Sequence, residues 1–365
     1  MRKQRMVIDF HVLQTVPPSC VNRDDTGSPK TAVYGGVTRA RVSSQAWKHA
    51  MRAYFMDELE AIDVGQRTKR IVELVAEEIA RLDPALDSEK LAIKALSDGV
   101  GLKIKGAKEG TDALFFMSRK QARNLAQIAV TNPKQLKDMK KECQAALRED
   151  PAMDMVLFGR MVANDQQLNL NYDAAAQVAH SISTHAVGNE FDYFTAVDDR
   201  QTEGESGAAH MDTTEFNSST LYRYATVNVL ELEKNLPGQA AQVVRAFADA
   251  FVHAMPTGKQ NAFANRTLPD DIYVTIRRDQ SVSLAPAFEK PVTATRDSGY
   301  MTGSEKALAE YANRLERQGM AEPPALALCV GDMAQALGAQ SVTLPQLLEQ
   351  IEAWIGAHVQ DGGAV

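Results

Sequence analysis

An apolar alternating strand, an amphipathic helix, two interrupted strands, a second amphipathic helix and a final apolar strand follow one another in this chain. That βαββαβ order predicts an α+β fold of ferredoxin-like (RRM-like) type. Two departures from the plain pattern complete the expectation: a mostly helical insertion after the first helix, and a polar excursion between the middle strands.

Met6 to Leu13 is apolar and β-rich, ends at Pro17-Pro18, and reads as the first strand. His11 within it is expected to be packed rather than to act as a ligand. The loop from Ser19 to Gly36 is polar and punctuated by Gly and Pro. Val37 to Val42 then alternates, which places Arg39 and Arg41 on one face of a strand. Ser43 or Ser44 is the expected N-cap of a helix starting near Gln45, because a serine hydroxyl accepts from a first-turn amide that has no intrahelical partner. On that helix Trp47, Ala50, Met51 and Tyr54 take the spacing of a buried stripe, while Ser44, Lys48 and Arg52 share another face.

From Asp57 to Asp150 the pattern is mostly helical. Ile71, Leu74, Val75, Ile79 and Leu82 form a stripe; Ser118 with Gln121 has capping-box spacing; Asn132-Pro133 reads as the start of a helix to Arg148. Beyond Tyr172 an Ala-rich helix is expected over Ala174 to Ala179, then a strand at SISTHAV, then Phe191 to Asp199 leading into a hairpin. Gln201 to Thr214 has no core periodicity, and a strand from Leu221 to about Glu231 follows. Such an excursion between strands reads as a projecting loop with a task. Gly238 to Met255 is an amphipathic helix, Ile272 to Ile276 a strand, and the C-terminal part adds helices and a strand near Leu326 to Val330.

The charge is unevenly distributed. The 365 residues carry a net charge of -7, yet residues 1–55 hold nine Lys/Arg against three Asp, a net of +6, which leaves -13 for the other 310. Between Val37 and Phe55 stand Arg39, Arg41, Lys48 and Arg52 and no acid. The free amides and dipole of a helix start favour anions by roughly 0.3–1 kcal/mol, and pointed cations add to this. A dedicated polyanion surface on an acidic body is the implied arrangement, one that holds phosphate without reading bases. A second group, Lys134, Lys137, Lys140 and Lys141, reads as a solvated face.

Hydrophobic content of 44% is that of a globular chain, and no apolar run reaches the ~18 residues of a membrane span. The start lacks a signal-peptide pattern, so a cytoplasmic location is expected. Cys20, Cys143 and Cys329 are odd in number and far apart, which implies free thiols. His180 and His185 are not expected to bind metal, and no cofactor is expected.

Several motifs together resemble the CasC family, the crRNA-binding backbone subunit of the type I-E CRISPR Cascade complex within the RAMP superfamily. They are HVLQTVPPSCVNRDD and RARVSSQAWKHAMR near the N-terminus, FGRM at 158–161, AHSISTH ending at His185, DYFTAVDD at 192–199, AHMDTTEF at 209–216 and YRYATVNV at 222–229. The resemblance runs colinearly over most of residues 6–290. It implies a palm (1–56, 173–194 and 221–365, the last with C-terminal helices), helical fingers (57–172) and a β-hairpin thumb (195–220). It further implies crRNA, the target DNA strand, further copies of the chain in a filament and other Cascade subunits as partners.

Residue by residue, the resemblance assigns RNA contacts to Arg23, Lys30, Arg41, Ser43, Gln45, Lys48, Arg52, Lys259 and Gln260. Met211 takes the position of a thumb wedge, with Phe194 and Thr195 beside the duplex. One departure is the segment VANDQQLNL after Met161, which lacks the apolar residue the family often presents there. The expected protein is not an enzyme. The alternative is a metal-dependent endoribonuclease that uses the adjacent carboxylates Asp24 and Asp25 to hold Mg²⁺.

Overall fold

The computed structural model describes residues 5–59, 63–162, 168, 170–196 and 210–359, with only the backbone described at 196, 210 and 211. The elements begin with β1 (Val7–Ser19), β2 (Thr31–Tyr34), β3 (Val37–Val42), α1 (Ser44–Glu58), β4 (Gln66–Thr68), α2 (Ile71–Leu82) and α3 (Ser88–Lys94). A π-helical turn at 95–100 precedes β5 (Phe115–Met117), α4 (Arg119–Thr131), α5 (Lys140–Ala146) and α6 (Met153–Phe158). Then come β6 (Ala176–Val178), β7 (Ser181–Ser183), β8 (Glu190–Ala196), β9 (His210–Asn228), α7 (Val229–Asn235), α8 (Ala240–His253) and α9 (Gln260–Phe263). The chain ends with β10 (Asp271–Arg277), α10 (Met301–Arg317), β11 (Leu326–Val330), β12 (Gln340–Ser341) and α11 (Leu344–His358).

The result is a mixed α/β fold around a large sheet of order β12-β11-β10-β1-β9-β7-β3-β2, with β6 and β8 each paired to β9. The pairings β1/β10, β10/β11, β2/β3, β3/β7, β7/β9 and β8/β9 are antiparallel, and β11/β12 is parallel. The chain divides into two compact units, residues 1–54, 178–226 and 247–365, and residues 55–177 and 227–246.

In the first unit β1 is a central strand, buried almost continuously from Ile8 to Gln14 because both its faces are covered. Phe10 on one face meets Phe247 and Phe251 of α8 at 5.5 and 6.1 Å between ring centroids. Leu13 on the other joins Tyr222, Tyr273 and Phe288 against Leu308, Ala309 and Ala312 of α10. The second unit has its own core, in which Ile71, Val75 and Ile79 of α2 pack with Leu91, Leu125, Leu136 and Leu147. There Ser118 and Gln121 form the expected capping box on α4, while Leu82, at the end of the predicted stripe, is 39% exposed.

Several elements differ from the sequence expectation. Residues 176–178 are strand rather than part of an Ala-rich helix. Ala176 and Val178 are buried around an exposed Gln177, and β6 pairs with β9, so sheet pairing overrides a weak helix propensity. Asn132 closes α4, its N–H bonding Ile128 O at 3.0 Å, and Pro133 follows as a stop signal. The next helix therefore starts only at Lys140. β9 ends at Asn228, whose side chain caps α7 by accepting from the Glu231 N–H at 3.2 Å. β1 runs through Pro17-Pro18, which lie past its ladder with β10 ending at Leu13. The three cysteines are buried free thiols, as expected.

His11 is packed, as expected. Its Nδ1 lies 2.8 Å from the Tyr222 hydroxyl, and its ring stacks 5.3 Å from Tyr224 and 5.5 Å from Tyr273. Burial, with Arg277 nearby, pushes its pKa down to about 3. Neighbouring Asp9 accepts from the Tyr224 hydroxyl and the Val282 N–H, yet burial raises it to about 6.

These shifts oppose one another in their effect on stability. An imidazole held neutral in the fold contributes stability above its unfolded pKa, near 6.5, and loses it as pH falls toward 3. The raised Asp9 works against the fold as pH rises from about 4 to 6. His11 spans the wider interval, so the urea midpoint should fall on acidification from pH 6.5 to 4, and His11→Gln should abolish that fall and leave the opposite trend of Asp9. An identical slope in the variant would contradict this assignment.

Candidate nucleic-acid interface

The site is built outward from the start of α1. Ser43 is the N-cap: its Oγ accepts from the Ala46 N–H at 3.2 Å and its carbonyl from the Trp47 N–H at 3.2 Å. Trp47 and Met51 are buried, and the Trp47 indole donates to Ser181 Oγ at 2.9 Å, pinning the helix to β7. The opposite side carries exposed Gln45 and half-buried Lys48 and Arg52. No acid stands in the first turn, so the positive end of the helix dipole is not offset there. Burial lowers the pKa of the Lys48 ammonium.

The loop 20–30 is fastened to this helix start. Asn22 Oδ1 accepts from the Ser43 N–H at 2.9 Å, the Lys30 N–H donates to Asn22 O at 2.8 Å, and the Arg41 N–H donates to Lys30 O at 2.9 Å. Lys30 and Arg41 are thereby neighbours. Both face His180, whose pKa is lowered first by burial and then by these two cations, and the Arg41 guanidinium lies 3.2 Å from His180 Nδ1.

A third segment, around Lys259, lies against the same loop. A Cβ on Gly258 would come within 2.2 Å of Val21 O and 2.5 Å of Cys20 O, and both Lys259 and exposed Arg23 act electrostatically on Cys20. Loop 20–30, the Ser43 cap and the Lys259 loop therefore bring Arg23, Lys30, Arg41, Lys259 and Gln260 into one neighbourhood. Sequence reasoning had them in three separate segments.

Arg39 departs from the expectation. It does not share an exposed face with Arg41: it is fully buried, and its guanidinium donates to Tyr34 O at 3.1 Å, Ser183 O at 3.1 Å, Phe288 O at 2.8 Å and Glu289 O at 3.3 Å. Four converging carbonyls satisfy a cation that strand alternation alone assigned to the surface. His185 is likewise structural, stacked 3.5 Å from Tyr300 and accepting the Thr220 N–H at 3.1 Å.

Asp24 has a local role. Its Oδ1 accepts from the Thr26 N–H, the Thr26 hydroxyl and the Ser28 N–H at 3.0, 2.7 and 3.0 Å, and these bonds, the hydroxyl first, lower its pKa. This is an Asx-type turn that shapes the loop. Asp25 is exposed.

The polar excursion is flanked by a two-stranded ribbon. β8 and β9 pair in register from Glu190 opposite Phe216 to Ala196 opposite His210. Residues 197–209, expected to form the hairpin tip, lie outside the described residues, and so does the Met211 side chain, although the Met211 backbone sits opposite Thr195. Phe191, Tyr193 and Phe194 are 67%, 61% and 42% exposed. Of these, Phe191 and Tyr193 were missed as candidates, as were Asn22 and His180. The signal for the first two was present: aromatics alternating with acid on a segment too polar for a core strand. In the second unit Lys134, Lys137, Lys140 and Lys141 are exposed, as expected, and most of the segment 163–169 lies outside the described residues.

A mixed α/β protein whose cations gather where two loops meet a helix start is thus the class that fold and site define. The family described as CT1975-like protein (Cas_CT1975) matches residues 8–354, and the chain belongs to it. It is also similar to a chain of a solved structure titled "CRISPR RNA-guided surveillance complex, pre-nicking", at 32% identity and a TM-score of 0.80, over 95% of this chain and 99% of that chain. A second, titled "CRISPR RNA-guided surveillance complex", matches at 30% identity and a TM-score of 0.62, with the same coverage of 95% and 99%. No curated protein matches. The structural neighbours are CRISPR surveillance-complex components.

The two arginines of β3 should separate cleanly. Arg39→Met strands buried carbonyls at roughly 1–3 kcal/mol each, so stability should drop by about 3 kcal/mol or more, whereas Arg41→Met should cost less than about 1 kcal/mol. Thermal unfolding of the two variants decides, and equal losses would refute the division.

Proposed function

We propose that this chain is a crRNA-binding backbone subunit of a type I-E Cascade complex. In this role several copies assemble along one guide RNA and present it in short segments for pairing with target DNA. The observation that carries the reading is the convergence of Arg23, Lys30, Arg41, Lys48 and Arg52 around the Ser43-capped start of α1. Amides and cations held in that way suit a phosphate backbone and read no base, as a guide of variable sequence requires.

The order β10-β1-β9-β7, with α1 following β1 and α8 following β9, supports a ferredoxin-like palm. Residues 55–177 then correspond to fingers and the β8–β9 ribbon to a thumb. In an RRM, RNA bases stack on an open sheet face. Here α10 covers that face, so the RNA path proposed runs over the loops and the start of α1 instead. The exposed aromatics of β8 fit contacts to bases, which every sequence offers as flat apolar surfaces. Membership of a CRISPR-associated family and the surveillance-complex neighbours support the other proposed partners, the remaining Cascade subunits. Among the described residues no helix is long and apolar enough to cross a membrane, in keeping with the proposed cytoplasmic setting. The role is binding without cleavage, and the engagement of Asp24 in its turn favours that over a metal-holding pair.

The test is RNA capture by the complex coexpressed with a CRISPR array. Lys30→Ala, Arg41→Ala and Lys48→Ala should weaken binding alike for every spacer. Each should also reduce the slope of log K against log salt by about 0.7, the loss of one single-strand phosphate contact. A spacer-dependent loss, or wild-type complex that carries no RNA, would sink the proposal. Incubation with complementary RNA and Mg²⁺ should give no regularly spaced fragments; fragments that vanish in Asp24→Ala or Asp25→Ala would establish cleavage.

A further inference from the structure

Lys259 stands apart from the other candidate phosphate ligands. Its φ is +46° and that of Ala264 is +48°, left-handed conformations that bracket α9 and that residues bearing a Cβ seldom adopt. Backbone held this way persists where the surroundings over-determine it. The surroundings here are specific. On one side Gly258 is pressed onto the Cys20 and Val21 carbonyls, at the root of loop 20–30, where a Cβ has no room. On the other side the Lys259 ammonium donates to Thr214 Oγ1 of β9 at 2.9 Å, and the Phe263 ring lies 5.8 Å from Phe216. Thr214 pairs with Asp192, and Phe216 with Glu190, so both contacts fall at the base of the ribbon.

We propose that Lys259 is a positioning residue, a tether that ties the base of the β8–β9 ribbon to loop 20–30 through Thr214 and so sets the direction in which the ribbon projects. The 256–264 segment is then a strut. One end is fixed by the glycine contact, and the other grips β9 by an ammonium–hydroxyl bond and an aromatic contact. Lys259 affects nucleic acid through the ribbon and not as a phosphate ligand. What the ribbon does rests on the function proposed above; the tether itself does not.

Two measurements test it on the full-length chain and the assembled complex. In the chain alone, Lys259→Met and Thr214→Val should each speed amide exchange over 190–194 and 212–216 by roughly fivefold to tenfold, the scale of one lost hydrogen bond. The double variant should add nothing further, Lys259→Arg should retain most of the protection, and amides of β10 should stay unchanged as the control for folding. Unchanged ribbon exchange in Thr214→Val, or additive effects in the double variant, would overturn the tether.

In the complex, Lys259→Met should lower guide affinity with an unaltered salt slope, and Thr214→Val should reproduce that loss. A slope reduced by about 0.7 in Lys259→Met, with Thr214→Val at the wild-type affinity, would instead make Lys259 a phosphate ligand. If wild-type complex holds no RNA the functional reading fails, and the exchange experiment still decides the tether.

Discussion

The first unit is organised around one buried cation. Arg223 of β9 is 1% exposed; its guanidinium lies 3.9 Å from the Trp47 ring centroid and 4.7 Å from that of Phe251, donates to Gln14 Oε1 at 2.6 Å, and bonds the Phe251 carbonyl. No carboxylate neutralises it in these contacts. Two aromatic faces, a side-chain amide and a backbone carbonyl replace part of its hydration, its buried Nε being left without a hydrogen-bond partner, and a desolvated cation–π contact contributes about 2 kcal/mol. Burial lowers its pKa to about 9, which leaves it charged at neutral pH. Because Trp47 belongs to α1, Phe251 to α8 and Gln14 to β1, this group fixes both helices against the sheet. The angle at which α1 presents its capped start follows from that constraint.

Arg223 is one of a kind repeated elsewhere. Arg39 gathers carbonyls from Tyr34, Ser183, Phe288 and Glu289, and in the second unit Arg160 donates to Leu170 O at 2.7 Å, Phe116 O at 3.1 Å and Leu147 O at 2.7 Å. Each joins segments far apart in the chain with a planar fork of donors, a task for which a lysine point charge is poorly suited. Within the first unit the cations thus serve two ends: Arg39 and Arg223 bond inside the fold, while Arg23, Lys30, Arg41, Lys48 and Arg52 stand around loop 20–30 and the start of α1. A charge census adds both kinds together, and so overstates the surface available to a polyanion.

Much of the architecture was legible because it is local. The stripe on α1, the capping box at Ser118 and the strands around Phe10 and Val274 are each written in residues a few positions apart. Where the reading failed, a distant partner decided. Ala176–Val178 became strand because β9 offered a ladder. The candidate site behaved in the same way. Ser43, Lys48 and Arg52 were readable from helix periodicity, but Asn22 and His180 emerged only when loop 20–30 folded onto α1.

The sequence by itself determined most of the element order, the excess of positive charge in the first 55 residues, a serine cap at the start of α1 and the motifs shared with the family. Only the tertiary structure decided that Arg39 is sealed among carbonyls while Arg41 faces His180, and that Lys259 is bonded to the ribbon. The physical reason is reach. Periodicity and capping act over one or two turns of chain, whereas the fate of a long cationic side chain depends on which acceptors lie within hydrogen-bond distance, and three of the four for Arg39 come from residues more than a hundred positions away and that for Lys259 from one forty-five away.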